Sequence, residues 1–471
     1  MTTRQPALAK PVPPARRAEP ATWEDAWRQL SGLPERADLN IAYLAVDRHA
    51  TSLRADRVAL RYLRADDSTV EVTFRQLAER TNRFAAALAD LGIRRGDRVF
   101  VLTGRVPELH VAVLGTLKLG AVCCTLFAAF GPEPVAARLI AGDAKVLVTT
   151  PELYDQKIAA LRDRCPQLGE VLLTGTPADA ASRPGTRCLA ALLDAARADF
   201  AIARTGPEDP ALLHFTSGTT GTPKGAVHVH GAVVQHVSTA RRVLELGSDD
   251  VYWCTADPGW VTGTSYGIVA PLAVGATSVI DEAEFDVHRW YRTLSGQHVT
   301  VWYTAPTAIR RLMRAGADAA ATYDLSALRI VASVGEPLNP EAVAWGRRVL
   351  RRTIRDSWWQ TETGGIVIAN YGDRPVRPGS MGHPVPGMTA AVLVRGEDGR
   401  ALRTDGHVIV ENTPDAVGEL ALRTPWPAMF RDYLHDRARY DDCFVDGWYL
   451  TGDLARIDAD GYFWFVGRPQ T

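Results

Sequence analysis

Residues 212–231, LLHFTSGTTGTPKGAVHVHG, constrain this chain more than any other stretch. An apolar run ends at Phe215, a loop follows, and Lys224 closes the loop before the apolar pattern resumes. The loop and its borders carry glycines and hydroxyl side chains at Thr216, Ser217, Gly218, Thr219, Thr220, Gly221 and Gly225. Glycine permits unusual φ angles and close approach to a ligand, so backbone N–H groups can converge there with hydroxyls and an ammonium. The stretch predicts a phosphate-binding loop, although such clusters are also typical of ordinary surface loops.

The loop does not match a Walker loop. That pattern requires serine or threonine after the lysine, whereas Lys224 is followed by Gly225. Pro223 also disfavours a helix that starts at the lysine.

Strand and helix patterns alternate before this loop. Alternating or apolar runs predict strands at residues 58–62, 70–74, 98–102 and 145–149. Thr73 and Gln76 form a capping box for a helix that Gly92 ends, and Pro107 opens a helix that ends at Gly120. The alternation predicts an α/β fold with a parallel sheet covered by helices on both faces. Ligands of such sheets bind beyond the carboxyl ends of the strands, where the glycine-rich loop would lie.

The two ends of the chain differ from this pattern. The first residues are rich in Pro, Ala and Arg, which predicts a tail without fixed structure, followed by a short helix with Trp23 and Trp27 on one face. Downstream of Asn370 glycine and proline multiply, and short strands are predicted at residues 390–394 and 418–422. We therefore divide the chain into a flexible tail at 1–20, two α/β subdomains at 21–380, a β-rich subdomain at 381–467 and a hinge stub at 468–471.

Composition argues against several functional classes. A net charge of -1 gives no electrostatic reason to expect nucleic acid or an anionic membrane as a partner. The six cysteines have no CxxC pair, which favours free thiols in a reducing compartment. His228 and His230 lack further ligands at metal spacing, which disfavours zinc. Because no apolar span has the length of a membrane helix and no signal peptide is recognisable, we expect a cytoplasmic protein.

Four later stretches carry residues capable of chemistry, at 260–263, 333–337, 356–365 and 448–468. Each also has an ordinary structural interpretation: a tight turn over a core, a loop before a helix, a buried tryptophan pair, and a turn aspartate with a surface arginine. Within DSWWQTETGG, the Glu362 carboxylate is a hard oxygen ligand suited to Mg2+ beside a triphosphate.

TSGTTGTPKG at residues 216–225 and the four later stretches resemble, in order, the motifs of the adenylate-forming superfamily. This superfamily contains acyl-CoA synthetases, peptide-synthetase adenylation domains and luciferases, and the run WWQTETG resembles its acetyl-CoA synthetase branch in particular. The resemblance implies a large N-terminal adenylation domain with two parallel-sheet αβαβα subdomains and a small β-barrel-like subdomain.

The resemblance also assigns candidate roles to residues. The catalytic candidates are Thr216, Lys224, Thr361 and Glu362, with Glu362 as the magnesium ligand. The candidate contacts for ATP or AMP are Ser217, Gly218, Thr219, Thr220, Gly335, Glu336, Pro337, Asp356, Ser357, Trp358, Gln360, Thr361, Asp453, Phe465 and Arg468. The resemblance implies that Asp356 and Trp358 line the adenine side and that Asp453 and Arg468 contact the ribose hydroxyls. The acyl pocket would be lined by Trp260, Val261, Thr262, Gly263, Val334 and Trp359.

The implied reaction is attack of a carboxylate on the α-phosphate of ATP, which gives an acyl-adenylate and pyrophosphate. ATP, Mg2+ and coenzyme A are the implied cofactors, with coenzyme A accepting the acyl group in a second half-reaction. Trp359 would close the acid pocket around an acetyl or propionyl group. Alternatives are a pathway enzyme that activates a bulkier acid for coenzyme A, a carrier protein or a separate thioester-forming partner, and a nucleotide-binding module without catalysis. A luciferase is the remotest case.

Members of the superfamily continue into a mobile C-terminal domain, which this sequence does not include. Pro469 and Gln470 stand where an acidic hinge residue is expected. We therefore expect these residues alone to bind ATP or acyl-adenylate tightly but to turn over weakly.

Overall fold

A computed structural model of the chain describes residues 22–30, 38–216, 223–396 and 399–468. The predictions for residues 1–20, 217–221 and 469–471 lie outside these ranges, and they include the candidate phosphate contacts Ser217, Gly218, Thr219 and Thr220. In the part of the chain that is described, no helix is both long and apolar enough to cross a membrane.

The first large sheet, called the N-terminal sheet, has eight strands. From edge to edge they are Arg187–Cys188, Glu170–Leu173, Val146–Thr149, Arg98–Leu102, Val122–Thr125, Pro210–Thr216, Lys224–Val229 and Asp432–Tyr433. The first six run parallel, and the last two pair antiparallel. Central strands such as Val146–Thr149 are buried at every residue, as expected for a parallel sheet that is covered on both faces.

The second large sheet, called the central sheet, has nine strands. From edge to edge they are His383–Pro384, Ile368–Ala369, Ile354–Trp358, Ile330–Ser333, Val301–Thr304, Val251–Cys254, Thr277–Asp281, Val58–Leu63 and Thr69–Thr73. The six strands from Ile354–Trp358 to Val58–Leu63 are parallel. Two early strands, Val58–Leu63 and Thr69–Thr73, therefore complete a sheet that is otherwise built from the second half of the chain.

A third, antiparallel sheet lies in the C-terminal part of the described chain. Its five strands are Ala390–Leu393, Gly418–Arg423, Trp448–Ile457, Phe444–Val445 and Phe463–Gly467. A separate two-stranded ribbon joins Arg403–Thr404 to His407–Val408. The strands His383–Pro384 and Asp432–Tyr433 pair with the large sheets instead, so the β-rich region contributes to all three layers.

Helices cover both large sheets. The α-helices are Trp23–Gln29, Arg48–Ala50, Phe74–Asp90, Pro107–Lys118, Pro132–Ala141, Pro151–Lys157, Pro177–Ala181, Leu189–Ala195, Ala232–Arg242, Val261–Thr264, Ala270–Val274, Val287–Gly296, Pro306–Arg314, Pro340–Trp345 and Arg437–Asp441. Short π-helical turns occur at Tyr43–Asp47, Ser265–Val269 and Gly346–Leu350, and 3₁₀ turns at Ala159–Arg164 and Ala317–Ala320.

The predicted elements before the loop are confirmed. The Thr73 side chain accepts from Gln76 N, the Gln76 side chain accepts from Thr73 N, and the helix Phe74–Asp90 begins there. Gly92 follows that helix with φ of 81°, in the region that favours glycine. The two large sheets with parallel strands and the helices that cover them confirm the predicted α/β fold class. The local caps and strand runs of the sequence are consistent with this packing.

Candidate functional site

A large cleft of about 1590 Å³ opens where parallel strands of the central sheet end, facing the end of the strand Pro210–Thr216. It is lined by predicted site residues from every motif, namely Thr216, Lys224, Trp260, Val261, Thr262, Val334, Gly335, Glu336, Pro337, Asp356, Ser357, Trp358, Trp359, Gln360, Thr361, Glu362, Asp453, Phe465 and Arg468. Because these residues span more than half of the chain, only the packing of all three sheets brings them together.

Two glycines have a different position from the one predicted. Gly263 does not line the cleft; it is buried in the short helix Val261–Thr264, where a Cβ would lie 2.1 Å from the Asp257 carbonyl oxygen. Gly225 lies in the extended strand Lys224–Val229 and is not among the glycines with positive φ. A Cβ there would lie 2.9 Å from Leu213 Cδ1, so Gly225 serves packing rather than an unusual φ angle.

At one end of the cleft, called the phosphate end, charged side chains face each other. Tyr433 donates its hydroxyl to Glu362 Oε1 at 2.7 Å, and Lys224 Nζ lies 5.4 Å from the centroid of the Tyr433 ring. Burial, together with the Glu362 carboxylate, raises the pKa of the Tyr433 phenol, so the hydroxyl stays protonated and remains a donor. Cys443 also lines this end, and burial raises the pKa of its thiol to about 11.

The loop that carries Thr361 and Glu362 rests on buried histidines. His236 Nε2 lies 2.7 Å from Gly364 O, and His228 Nδ1 lies 3.1 Å from Ala428 O. The His214 ring packs against His228 with centroids 5.6 Å apart. Burial lowers the pKa of His228 to about 3 and that of His236 to about 4, and it holds the pKa of His214 well below its ordinary value. Neutral imidazoles on the buried side of this loop therefore support it.

Asp356 is buried at the side of the cleft that is predicted to hold adenine. Its Oδ1 accepts from Ser333 Oγ at 2.7 Å. Burial raises the pKa of the carboxyl to about 7, and the Ser333 hydrogen bond only partly offsets this. The neighbouring Glu336 side chain accepts from Thr307 and is paired with Arg310. Asp356 can therefore change charge near neutral pH, whereas Glu336 is held by a cation.

Asp453, the predicted ribose ligand, already has partners within the chain. Its Oδ1 accepts from Arg468 Nε at 2.8 Å, and its Oδ2 accepts from Trp358 Nε1 and Gln360 Nε2, both at 3.1 Å. The Tyr449 hydroxyl in turn donates to Gln360 Oε1 at 2.9 Å. The predicted partners Asp453 and Arg468 are thus in direct contact, and a ribose that binds there must share or displace these bonds.

In another part of the cleft, called the acid end, Trp359 forms a buried wall. Its Nε1 donates to the Tyr303 hydroxyl at 3.2 Å, and the Tyr266 ring lies edge-on at a centroid distance of 5.2 Å. The Tyr266 hydroxyl accepts from Ile366 N at 2.8 Å, which ties this support to the chain just after Trp359. Only 8% of Trp359 is exposed. The indole is therefore buried and packed against Tyr266, and its polar atom has a partner.

Trp260, by contrast, lies at the rim of the cleft and is 40% exposed. Its ring packs against Phe127 and Phe130 with centroids 5.2 and 5.6 Å apart. The close approach requires Gly259, because a Cβ there would lie 2.2 Å from Phe127 N.

The sequence patterns missed several residues of the site. Tyr303, Tyr433 and Cys443 lie in stretches of the sequence in which no motif was identified. Arg105, at the cleft, donates to the Thr255 carbonyl oxygen at 3.0 Å. Nothing local in the sequence singles these residues out, since their partners lie far away along the chain.

Fold and cleft together define an α/β protein whose ligands bind where parallel strands end. A sequence profile described as AMP-binding enzyme matches residues 46–434. The acetyl-coenzyme A synthetase of Bacillus subtilis (strain 168) is 45% identical over 432 residues, which cover 91% of this chain and 72% of that protein. The acetyl-coenzyme A synthetase of Methanothrix thermoacetophila is 36% identical, with coverage of 91% and 67%.

Structural similarity agrees with these sequence matches. The crystal structure of an acyl-CoA synthetase from Brucella canis is similar with a TM-score of 0.83 and 32% identity, over 95% of this chain and 78% of that one. The chain therefore belongs to the AMP-binding enzyme family.

Proposed function

We propose that this chain activates a short carboxylic acid with ATP, as the first half-reaction of an acyl-CoA synthetase. The observation that carries the proposal is one cleft with two contrasting ends. Lys224, Thr361 and Glu362 lie at the phosphate end, and a closed apolar wall at Trp359 forms the acid end. A carboxylate between them would have an anionic co-substrate on one side and a small apolar space on the other.

In the first step, an oxygen of the carboxylate forms a bond to the α-phosphorus of ATP, and the bond from that phosphorus to the bridging oxygen breaks. Pyrophosphate leaves with the electron pair. No general base is required, because the acid is already ionised at neutral pH. The Lys224 ammonium would offset the repulsion between the two anions and stabilise the charge on the leaving pyrophosphate.

The residues at the phosphate end fit a magnesium ion. The Glu362 carboxylate lines the cleft, and no donor among the described residues occupies its Oε2. Carboxylate and hydroxyl oxygens such as those of Glu362 and Thr361 are the ligands that Mg2+ prefers. When bound there, Mg2+ would neutralise charge on the phosphates.

In the second step, the thiol of coenzyme A attacks the acyl carbon of the adenylate. The carbon–sulfur bond forms, AMP leaves with the electrons of the carbon–oxygen bond, and the thiol proton passes to solvent. Comparison of coenzyme A with a carrier-protein thiol as acceptor separates this proposal from the alternative of a biosynthetic adenylating enzyme.

The test is exchange of labelled pyrophosphate into ATP, driven by a series of acids from acetate through hexanoate to benzoate. We expect exchange to be highest with acetate or propionate and to fall as chain length increases, because Trp359 limits the space. Faster exchange with benzoate or hexanoate than with acetate would contradict the short-acid proposal but not adenylation. Because these residues alone are expected to turn over weakly, adenylation itself would be contradicted by absence of exchange with every acid in a protein that also carries the superfamily's C-terminal domain.

A further inference from the structure

One short segment, residues 430–434, binds both partners of the phosphate end. Phe430 N donates to the backbone oxygen of Glu362 at 2.9 Å, and the Tyr433 hydroxyl donates to Glu362 Oε1 at 2.7 Å. Leu434 N donates to Gly225 O at 2.7 Å, next to Lys224. The segment therefore connects the loop that carries the glutamate to the strand that begins with the lysine.

Tyr433 is itself held firmly. It pairs with Ala226 at the edge of the N-terminal sheet, its ring lies 4.9 Å from that of Phe430, and only 3% of its surface is exposed. Its hydroxyl has little freedom as a result. Among the described residues, Tyr433 is the only one that donates to the Glu362 carboxylate.

We propose that Tyr433 is a positioning residue for Glu362: its hydroxyl holds Oε1, so that Oε2 is presented to the divalent cation that accompanies the nucleotide. The inference rests on the proposed function, because it takes Glu362 as the cation ligand. Tyr433 does not touch the reacting atoms; it acts through the carboxylate.

The expected effect follows from the role of groups that orient a metal ligand. A carboxylate without a second partner samples several rotamers, and loss of such a partner typically costs about 10- to 100-fold in metal affinity or activity. The backbone of Glu362 stays fixed by Phe430 N in a Tyr433→Phe variant. The change should therefore affect the carboxylate rather than the whole loop.

Tyr440 offers a matched control. Its ring lies 4.9 Å from Phe430 at 63°, and the Tyr433 ring lies at the same distance at 62°. Tyr440 does not line the cleft. Tyr440→Phe removes a hydroxyl from a nearly identical aromatic setting without touching Glu362.

The experiment measures how strongly a cation assists nucleotide binding in the absence of any acid. The Kd of α,β-methylene ATP, which cannot be cleaved at the bond in question, is determined by calorimetry with Mn2+ and with EDTA. The ratio of the Kd with EDTA to the Kd with Mn2+ measures how much the cation assists binding. We expect Tyr433→Phe to reduce this ratio about tenfold and to leave the Kd with EDTA unchanged. Tyr440→Phe should leave both values unchanged, and melting temperatures verify that each variant is folded.

A double-mutant cycle completes the test. In a Glu362→Gln background, Tyr433→Phe should have no further effect on the ratio, because the carboxylate through which it acts is gone. In exchange assays, excess Mg2+ should restore the rate of Tyr433→Phe but not that of Glu362→Gln.

An unchanged ratio in Tyr433→Phe, or an equal decrease in Tyr440→Phe, overturns the inference. The outcome does not depend on turnover. If a protein that also carries the C-terminal domain exchanged no pyrophosphate with any acid, while the effect of Mn2+ on nucleotide affinity still fell in Tyr433→Phe, the proposed function would fail and the role of Tyr433 would stand.

Discussion

The two ends of the cleft are built from different chemistry. The acid end consists of neutral groups whose hydrogen bonds are internal, with the Trp359 indole bonded to Tyr303 and packed against Tyr266. The phosphate end presents charged side chains, Lys224 and Glu362, and it rests on a loop supported by His236. One end can select by volume and the other by charge.

The difference predicts distinct responses to substitution and pH. The Trp359 wall selects among acids by excluded volume, so substitutions of Trp359 should alter which acid is used. Charged groups act on the developing charge of the reaction, so their changes should alter rate and pH dependence.

The largest effect should follow Glu362→Gln, which removes a charge from the phosphate end without changing size. We expect kcat for pyrophosphate exchange to fall about 100- to 1000-fold, the range found when one electrostatic group is removed from an active site. Relative rates with different acids should stay the same. Glu152→Gln, at an exposed helix start, is the control; a shift in acid preference by Glu362→Gln would erase the distinction between the two ends.

Trp359→Ala should alter the acid preference, which Glu362→Gln should leave unchanged. The preference for butyrate over propionate, which differ by one methylene, should rise by about 10- to 100-fold, because one accommodated methylene contributes about 1–3 kcal/mol. Trp345→Ala is the control, since Trp345 is 3% exposed but lies outside the cleft. Both variants should lose about 3–5 kcal/mol of unfolding free energy by denaturant titration, whereas only Trp359→Ala should change the preference.

A smaller effect should appear in the pH dependence of adenosine affinity. Because the pKa of Asp356 is raised to about 7, its carboxyl ionises as the pH rises through neutrality. An ionised carboxylate accepts a hydrogen bond from an amino group more strongly, so adenosine affinity should rise about tenfold between pH 6 and 8. Purine riboside, which lacks the amino group, should not respond. Calorimetry with Asp356→Asn should remove the step, and its persistence would assign the titration to another group.

The same Asp356 carboxyl carries a linked cost in stability. Its folded pKa lies above the ordinary 3.8, so its contribution to stability is fully present below pH 3.8 and is lost as the pH rises towards 7.

A separate effect, on stability rather than on activity, concerns the histidines that support the loop carrying Thr361 and Glu362. His228 and His236 have folded pKa values of about 3 and 4, below the ordinary 6.5, so the unfolded chain binds more protons between these limits. Unfolding free energy should therefore decrease as the pH falls below 6.5, by about 1.4 kcal/mol per pH unit for each group.

His236→Gln should reduce that slope, because an amide can still bond Gly364 O but does not titrate. The exposed His288→Gln is its control. Thermal melts from pH 7 to 4.5 measure the slope; equal slopes in wild type and His236→Gln would show that the buried imidazole does not govern the acid sensitivity of the phosphate end.

Local features of the fold were predictable because short-range rules govern them. Arg98–Leu102 is a strand and Phe74–Asp90 begins at its capping box as the sequence predicts, since both depend on neighbours within a few residues. The candidate roles of Lys224 and Glu362 came from motif letters, and they stay predictions until tested.

Contacts between distant residues were not predictable in this way. Tyr433 and Glu362 are 71 positions apart, and Trp359 and Tyr303 are 56 apart. The strand Asp432–Tyr433 of the β-rich region pairs with Lys224–Val229 of the N-terminal sheet. No local sequence pattern predicted this pairing.

The amino-acid sequence by itself determined the strands, the caps and the identity of the groups that are candidates for holding phosphate or acid. Tertiary structure decided which of these groups meet, how the Glu362 carboxylate is oriented, and whether the indole of Trp359 is fixed. The physical reason is that local hydrogen bonds and apolar periodicity are encoded within a few residues. Pairings across the sheets follow instead from the burial of apolar faces summed over the whole chain.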